Sequence, residues 1–355
     1  MNNTKAHLIE LCKQHKIKGY GNKTKEQLFD MLNVDAPNDI TAIDLFCGCG
    51  GMSKGLEEAG IKIVGAMDIW KQAVDNYNKN FTHQAMCEDI RNISPEDFKR
   101  HMKINQEIDL LVGGPPCQGF SIAGKRDPKD PRNSLFMDYV RYLDYFNPKA
   151  FIMENVMGLL SMKNQAGEKV IDIITEFLSR NYNIIISKLY ASDFEVPQNR
   201  RRVIIIGIRK DIGITPYEPE KIIGVDVSVG SVLLKRDEVD KSHFLSERAI
   251  DGIIAKKERS KSRNAGFGAQ YLNLEKPSYT IPARYWKDGY DALVKYADRD
   301  IRRLTIQELK RIQSFSDDYI LEGSKKDVIM QIGNAVAVKF AYHLGKHIIK
   351  LIKPT

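Results

Sequence analysis

Three short segments carry side chains suited to covalent chemistry. Gly113-Gly114-Pro115-Pro116-Cys117-Gln118-Gly119-Phe120-Ser121 sets one thiol between paired prolines and flanking glycines. The prolines stiffen the backbone and the glycines permit a sharp reversal, so Cys117 is presented on a rigid platform. A cysteine that only packs in a core needs no such punctuation, and a presented thiol points to a nucleophile. Ala150-Phe151-Ile152-Met153-Glu154-Asn155-Val156 delivers a carboxylate, Glu154, at the end of an apolar run. An acidic residue there is often only a helix cap, but the run before it is fully apolar, so Glu154 is expected at the same sheet edge as Cys117. Gln198-Asn199-Arg200-Arg201-Arg202 feeds a second apolar run, and a solvated basic edge is its bland reading.

A glycine loop supplies a different signal. Asp44-Leu45-Phe46-Cys47-Gly48-Cys49-Gly50-Gly51 follows a strand-like run and opens a helical stretch. Glycine lets backbone approach a ligand closely, and a helix start offers unpaired N–H groups. The dinucleotide fingerprint needs a third glycine at position 53, where Ser53 stands, which argues against a nicotinamide oxidoreductase. A nucleoside-bearing cofactor without a pyrophosphate fits better. Asp68, at the end of the next strand, is placed to accept hydrogen bonds from ribose hydroxyls, while Asp89 and Ile90 suit an adenine amino group and ring. A tight structural turn is the alternative for the loop. Cys47-x-Cys49 has neither a CxxC pair nor clustered histidines beside it, so no metal is expected.

These residues need a scaffold that gathers strand ends. Short apolar runs predict strands at 41–46, 62–67, 108–112, 150–154, 184–189 and 202–208, alternating with helices at 52–59, 70–79, 95–103, 134–146 and 167–180. That rhythm indicates an α/β fold with a doubly wound, mostly parallel sheet over residues 39–211. Residues 212–300 are irregular and rich in Gly, Lys and aromatics, and are expected to be a smaller second domain. The α/β character returns at 303–315 and in a long stripe from Asn334 to Ile352, so residues 301–355 are expected to rejoin the catalytic domain. Residues 4–33 hold two apolar stripes around the turn-rich IKGYGNKT, with a basic excess. This layout resembles the SAP helix-extension-helix motif, a small DNA-binding unit; an amphipathic hairpin packing on the main domain is the other reading.

Composition narrows the class further. The chain has 355 residues, a formal charge of +8, 43% hydrophobic and 28% charged residues, which is globular rather than disordered or fibrous. The densest apolar run, Val203 to Ile208, is far short of a membrane span, and the N-terminus lacks a signal-peptide layout. Five cysteines, an odd number in a long chain, argue for reduced thiols and a cytoplasmic location. The basic excess permits an anionic partner without demanding one.

Taken in order, DLFCGCGG, GGPPCQGFS, ENV, QNRRR and QIGNAV, with RRLTIQELKRIQSF between the last two, resemble the cytosine-C5 DNA methyltransferase family, and together they bracket residues 41–350. The resemblance implies a class I S-adenosylmethionine-dependent methyltransferase fold and a bacterial restriction-modification enzyme acting on double-stranded DNA. It implies Cys117 as the thiolate that adds to cytosine C6, and Glu154 as the group holding the N3 and amino edge. Arg200 and Arg202 would fix the base carbonyl and the active-site loop. S-adenosylmethionine would lie along Phe46, Gly48, Gly50 and Gly51, with Asp68 on the ribose and Ile69, Asp89 and Ile90 at the adenine. Gly114, Pro116 and Leu135 would form another wall, and Asn334, Ala335 and Val336 would close the pocket. Asp68 stands where Glu is more usual, and Ile69 replaces the family's bulky aromatic, with Trp70 one place later.

The resemblance also implies base flipping, since a stacked cytosine hides both C6 and its faces. Residues 118–133 carry Lys125, Arg126, Lys129 and Arg132 against Asp127 and Asp130, and are expected to be a mobile loop closing over the base, with Gln118 and Ser121 among the DNA contacts. The run from Lys256 to Arg263 offers phosphate contacts, and Thr280 with Arg284 offers groove contacts. A monomer is expected, with a cognate restriction endonuclease as its partner in the cell. A tRNA-directed enzyme of the same chemistry and a catalytically silent DNA-binding protein are the alternatives.

Overall fold

The computed structural model describes residues 9, 12–13, 19–21, 40–116, 135–164, 167–261, 269–287 and 289–353. Residues 1–40 form one compact unit and residues 41–355 another. The SAP-like segment falls almost wholly outside the described residues.

In chain order the larger unit begins β1 (Thr41–Leu45), α1 (Gly51–Ala59), β2 (Lys62–Asp68), α2 (Lys71–Asn80), β3 (Ala85–Cys87), α3 (Pro95–His101), β4 (Leu110–Gly113), α4 (Leu135–Phe146) and β5 (Ala150–Val156). It continues with α5 (Val170–Leu178), β6 (Tyr182–Tyr190), the short β7 (Gln198–Asn199) and β8 (Arg201–Arg209). The seven-stranded sheet has the order β3-β2-β1-β4-β5-β8-β6. The first five strands of that order are parallel, and β8 runs antiparallel to both β5 and β6. Each predicted strand is present, and the central ones, β1, β4 and β5, are mostly apolar because both their faces are covered.

This topology decides where a site can form. From β1 the chain leaves toward β2, whereas from β4 it leaves toward β5, so the glycine loop and the Gly114-Pro115-Pro116 segment part around the crevice between β1 and β4. Because β8 is antiparallel, its first residues lie beside the last residues of β5, with Val156 opposite Arg202. The Gln198–Arg202 segment is thereby delivered to the edge that bears Glu154.

Residues 212–300 are more ordered than expected. They contain α6 (Glu247–Lys261), β9 (Ser278–Tyr279) and β10 (Leu293–Ala297), and β10 pairs with β11 (Asp300–Arg303) as an antiparallel hairpin. The expected boundary at 300/301 falls within β11 and so cuts through that hairpin. The return comprises α7 (Ile306–Ile312), α8 (Lys325–Asn334) and α9 (Val338–Ile352). Val229, Ile281, Tyr285 and Val294 share one core with Leu309, Ile312, Val328 and Ile332, so the two stretches bury their apolar surface together.

The stripe from Asn334 to Ile352 is not one continuous helix. Ala335 and Ala337 are extended, with ψ of 148° and 135°, and α9 starts only at Val338. Gln313 accounts for the break: its Nε2 donates to the carbonyls of Ile332 (2.8 Å) and Ala335 (3.3 Å), groups that a continuing helix would have claimed. α9 then packs on α1, where a Cβ at Gly55 would lie 2.2 Å from the Val338 carbonyl oxygen, so only glycine permits this approach.

Candidate active site

A cavity of about 760 Å³ opens at the β1/β4 crevice, a volume suited to a nucleoside-sized ligand. Phe46, Gly48, Asp68, Ile69, Asp89, Ile90, Gly114, Pro116, Leu135, Glu154, Asn334, Ala335 and Val336 all line it, although they come from both ends of the chain. Trp70 lines it beside Ile69. The broken helix explains the distal contribution, since Ala335 and Val336 occupy the gap between α8 and α9.

The glycine loop is held from several sides. Phe46 has φ 62°, a left-handed conformation rare for an aromatic residue, and it turns the chain over the end of β1. Asp68 Oδ2 accepts from the Gly48 N–H at 2.9 Å and its Oδ1 from the Trp70 N–H at 2.8 Å. Burial raises its carboxyl pKa, against the lowering effect of these backbone bonds. Gly50 and Gly51 do not reach the cavity. Gly50, at φ 94°, faces Phe81 and Tyr319, and a Cβ at Gly51 would meet the Val336 carbonyl oxygen at 2.1 Å. They bring the loop against the returning chain.

At the adenine end, Asp89 is gripped by Arg91: Nε donates to Oδ1 (2.9 Å) and Oδ2 (3.0 Å), and Nη2 also contacts Oδ2. This grip holds the Asp89 carboxyl below its ordinary range. Gln331 adds a donor that sequence reasoning missed. It is buried, its Oε1 accepts from Asn76, and its Nε2 has no hydrogen-bond partner among the described residues. The volume, the two carboxylates and this orphaned donor fit a nucleoside-bearing amino acid.

Glu154 lies across the cavity from the loop. Its Oε1 accepts from Arg202 Nε at 2.5 Å, while Oε2 faces Gly114, where a Cβ would intrude to 3.1 Å. Asn155 Nδ2 donates to the Pro115 carbonyl (2.9 Å), tying β5 to the segment two residues before Cys117. Cys117, Gln118, Ser121, Lys125 and Arg126 lie outside the described residues, as do the side chains of 256–263.

Arg200 is set differently from Arg202. It is buried, away from the cavity lining, and its Nη2 donates to the Gly333 carbonyl at 2.9 Å. Burial, reinforced by Arg202 and opposed by Glu154, lowers its pKa to about 9. Gln198 works beside it: Oε1 accepts from the Ile281 N–H (3.1 Å) and Nε2 donates to Gln313 Oε1 (3.2 Å). Thr280 therefore sits beside a pinned residue, whereas Arg284 is half-exposed and paired with Asp291 at 3.0 Å. Neither lines the cavity.

Cys47 and Cys49 are buried, and burial pushes the Cys49 thiol up to about 12 and the Cys47 thiol up strongly as well. Among the described residues no group of three or more His, Cys, Asp or Glu is arranged to hold a metal ion, and no helix is long and apolar enough to cross a membrane.

A parallel sheet whose first three strand ends carry a glycine loop, Asp68 and Asp89 around one cavity defines a class I S-adenosylmethionine-dependent methyltransferase fold. Within that class, residues 40–350 match the model of the C-5 cytosine-specific DNA methylases, and the chain belongs to that family. Type II methyltransferase M1.HphI of Haemophilus parahaemolyticus is 32% identical over 329 residues, spanning 88% of this chain and 87% of that protein. Type II methyltransferase M.DdeI of Desulfomicrobium norvegicum is 46% identical over 175 residues, but the match spans only 48% of this chain and 41% of the relative. The solved structure of Spodoptera frugiperda DNMT2 superposes with a TM-score of 0.67 at 23% identity, covering 87% of this chain and 99% of that one. Identity that low carries the fold alone.

Proposed function

We propose that this chain transfers a methyl group from S-adenosylmethionine to C5 of a cytosine flipped out of a specific duplex DNA site, by way of a covalent adduct at Cys117. The observation that carries this reading is the convergence of the Glu154–Arg202 pair, the segment leading to Cys117 and the glycine-loop cavity at one crevice. When bound, the cofactor supplies an electrophilic methyl group. The chain supplies the rest. Cys117 adds to C6 and makes C5 electron-rich, because an aromatic carbon is otherwise a poor nucleophile; once C5 holds the methyl group, its proton leaves, the Cys117–C6 bond breaks and the ring is restored. Glu154 takes the N3 and amino edge through the oxygen that Arg202 leaves open, and Arg202 keeps that carboxyl from rotating. Arg200 acts at one remove, holding the Gly333 carbonyl and thus the end of α8 where Asn334 meets the cavity.

Residues 212–300 read the target sequence in this proposal, residues 1–36 add DNA affinity, and residues 118–133 close over the base. The protein works as a cytoplasmic monomer and as the modification partner of a restriction endonuclease. Bisulfite sequencing of DNA from cells expressing the chain is expected to show full protection of one short cytosine-containing sequence. Unmodified DNA accompanied by methylated transfer RNA would replace this reading with the RNA-directed one.

Asp68 provides a second check. Its carboxylate both holds the loop and faces the cavity, so Asp68→Ala is expected to weaken S-adenosylmethionine binding about 10- to 100-fold, the range for losing a charge-assisted hydrogen bond. Unchanged affinity by titration calorimetry would remove it from the pocket.

A further inference from the structure

Asp44 is a carboxylate in the middle of an apolar strand, only 1% exposed, and it lines the cavity. Such a group is costly to bury unless it is satisfied. Its partner is the residue that replaced the third glycine: Ser53 Oγ donates to Asp44 Oδ2 at 2.6 Å. Tyr77 Oη donates to Ser53 Oγ at 2.8 Å and lies 2.7 Å from His83 Nε2. His83 Nδ1 lies 3.3 Å from Glu57 Oε1, and the Glu57 side chain is partly exposed. An unbroken file of polar atoms thus runs from the cavity floor through α1 and α2 to the surface.

With Asp44 ionised, one set of donor directions completes the file. Ser53 spends its proton on Asp44 and Tyr77 spends its proton on Ser53, so the Tyr77 oxygen must accept from His83 Nε2–H. An imidazolium at His83 then satisfies Glu57 as well. Moving each proton one place gives an equally complete arrangement. The Asp44 carboxyl donates to Ser53, Ser53 to Tyr77, and Tyr77 to a bare Nε2, while Nδ1–H stays on Glu57. Three O–H bonds form, two O–H bonds and one N–H bond break, and the net change is one proton moved from His83 to Asp44.

We propose that Asp44, Ser53, Tyr77 and His83 form a proton relay that lets the cavity floor follow the charge on the cofactor's sulfur. This rests on the reading of the cavity given above. A sulfonium is cationic and favours ionised Asp44 with the proton on His83. The thioether left after methyl transfer carries no charge, and the proton returns to Asp44. Burial, with Asp68 adding to it, lifts the Asp44 carboxyl to about 7 against the Ser53 bond, which keeps both forms accessible near neutral pH. The other titratable groups packed around it are Cys47, Tyr139 and Tyr319, all neutral there because burial raises their pKa values. Among the described residues no Lys or Arg hydrogen-bonds or pairs with any of the four relay members.

Nitrogen NMR of the full chain, labelled at histidine and held near pH 7, tests this directly. With saturating S-adenosylmethionine the His83 ring is expected in the imidazolium form, and with saturating S-adenosylhomocysteine it is expected to move toward the neutral form. Tyr77→Phe keeps the ring stacked on Phe81 but removes the oxygen, so the difference between the two complexes should vanish. Ser53→Ala cuts the file at another point and should do the same. Identical His83 spectra in the two wild-type complexes, or a difference that survives both substitutions, overturns the relay. Failure of both ligands to bind, visible in the same titration, overturns the cofactor reading and the relay with it.

Discussion

Cys117→Ser is expected to lower methyl transfer by on the order of 10⁴-fold or more, in line with losses seen when a catalytic nucleophile is removed. Serine keeps the shape, but its hydroxyl is a far weaker nucleophile than a thiolate. S-adenosylmethionine affinity should stay within about twofold, because the residues lining the cavity are held by contacts independent of position 117, such as Gly48 on Asp68 and Asn155 on Pro115. Radiolabelled methyl transfer and calorimetry on the same preparation separate the two effects. Duplexes containing 5-fluorocytosine should trap the wild type irreversibly, since fluorine blocks loss of the group at C5, and should release the variant. Turnover within tenfold of wild type would show that another group attacks the ring.

The parts of this site that were visible in the sequence are those whose signal is local. Apolar runs marked the strands, and the residues at their ends, Asp68, Asp89 and Glu154, could be assigned to one edge because a doubly wound sheet has only one place for them. Asp44 was in the same motif yet carried no sign of a role, because its meaning depends on Ser53, Tyr77 and His83, which only the packing of α1 and α2 brings into line. The break after Asn334 was hidden for a related reason. Alanine and valine can continue a helix, and the deciding residue, Gln313, lies 19 residues upstream of the nearer carbonyl it claims. Gly50 and Gly51 were recognised as special but assigned to ligand contact, whereas the crowding that requires them comes from Tyr319 and Val336. Arg200 shows the same limit: the resemblance set it with Arg202, whereas its described hydrogen bond goes to the Gly333 carbonyl.

Glu308→Ala is expected to destabilise the protein by about 3–5 kcal/mol, the usual result of stripping one partner from a buried ion pair. Arg302 and Glu308 have fully buried side chains and meet bidentately, with Nη1–Oε2 and Nη2–Oε1 both 2.8 Å. Arg302 Nε donates to Tyr296 Oη at 3.0 Å, while Glu308 accepts the N–H groups of Leu234 (3.0 Å) and Thr305 (2.8 Å). The pair therefore joins the β10–β11 hairpin, the turn at Leu234 and the first turn of α7, where Thr305 Oγ1 accepts the Glu308 N–H in return. Alanine would leave the guanidinium uncompensated in the core and orphan two backbone donors at once. Because the cost lies mainly in the stranded charge, Arg302→Met combined with Glu308→Leu should cost clearly less than the sum of the single changes. Urea unfolding midpoints give both quantities. α7 leads straight to Gln313, which holds the broken helix at the cavity, so loss of cofactor affinity should accompany the loss of stability. A single-variant cost below about 1 kcal/mol would mean that water or a rearranged hairpin reaches Arg302, and that the joint between the β10–β11 hairpin and the cavity is looser than this packing implies.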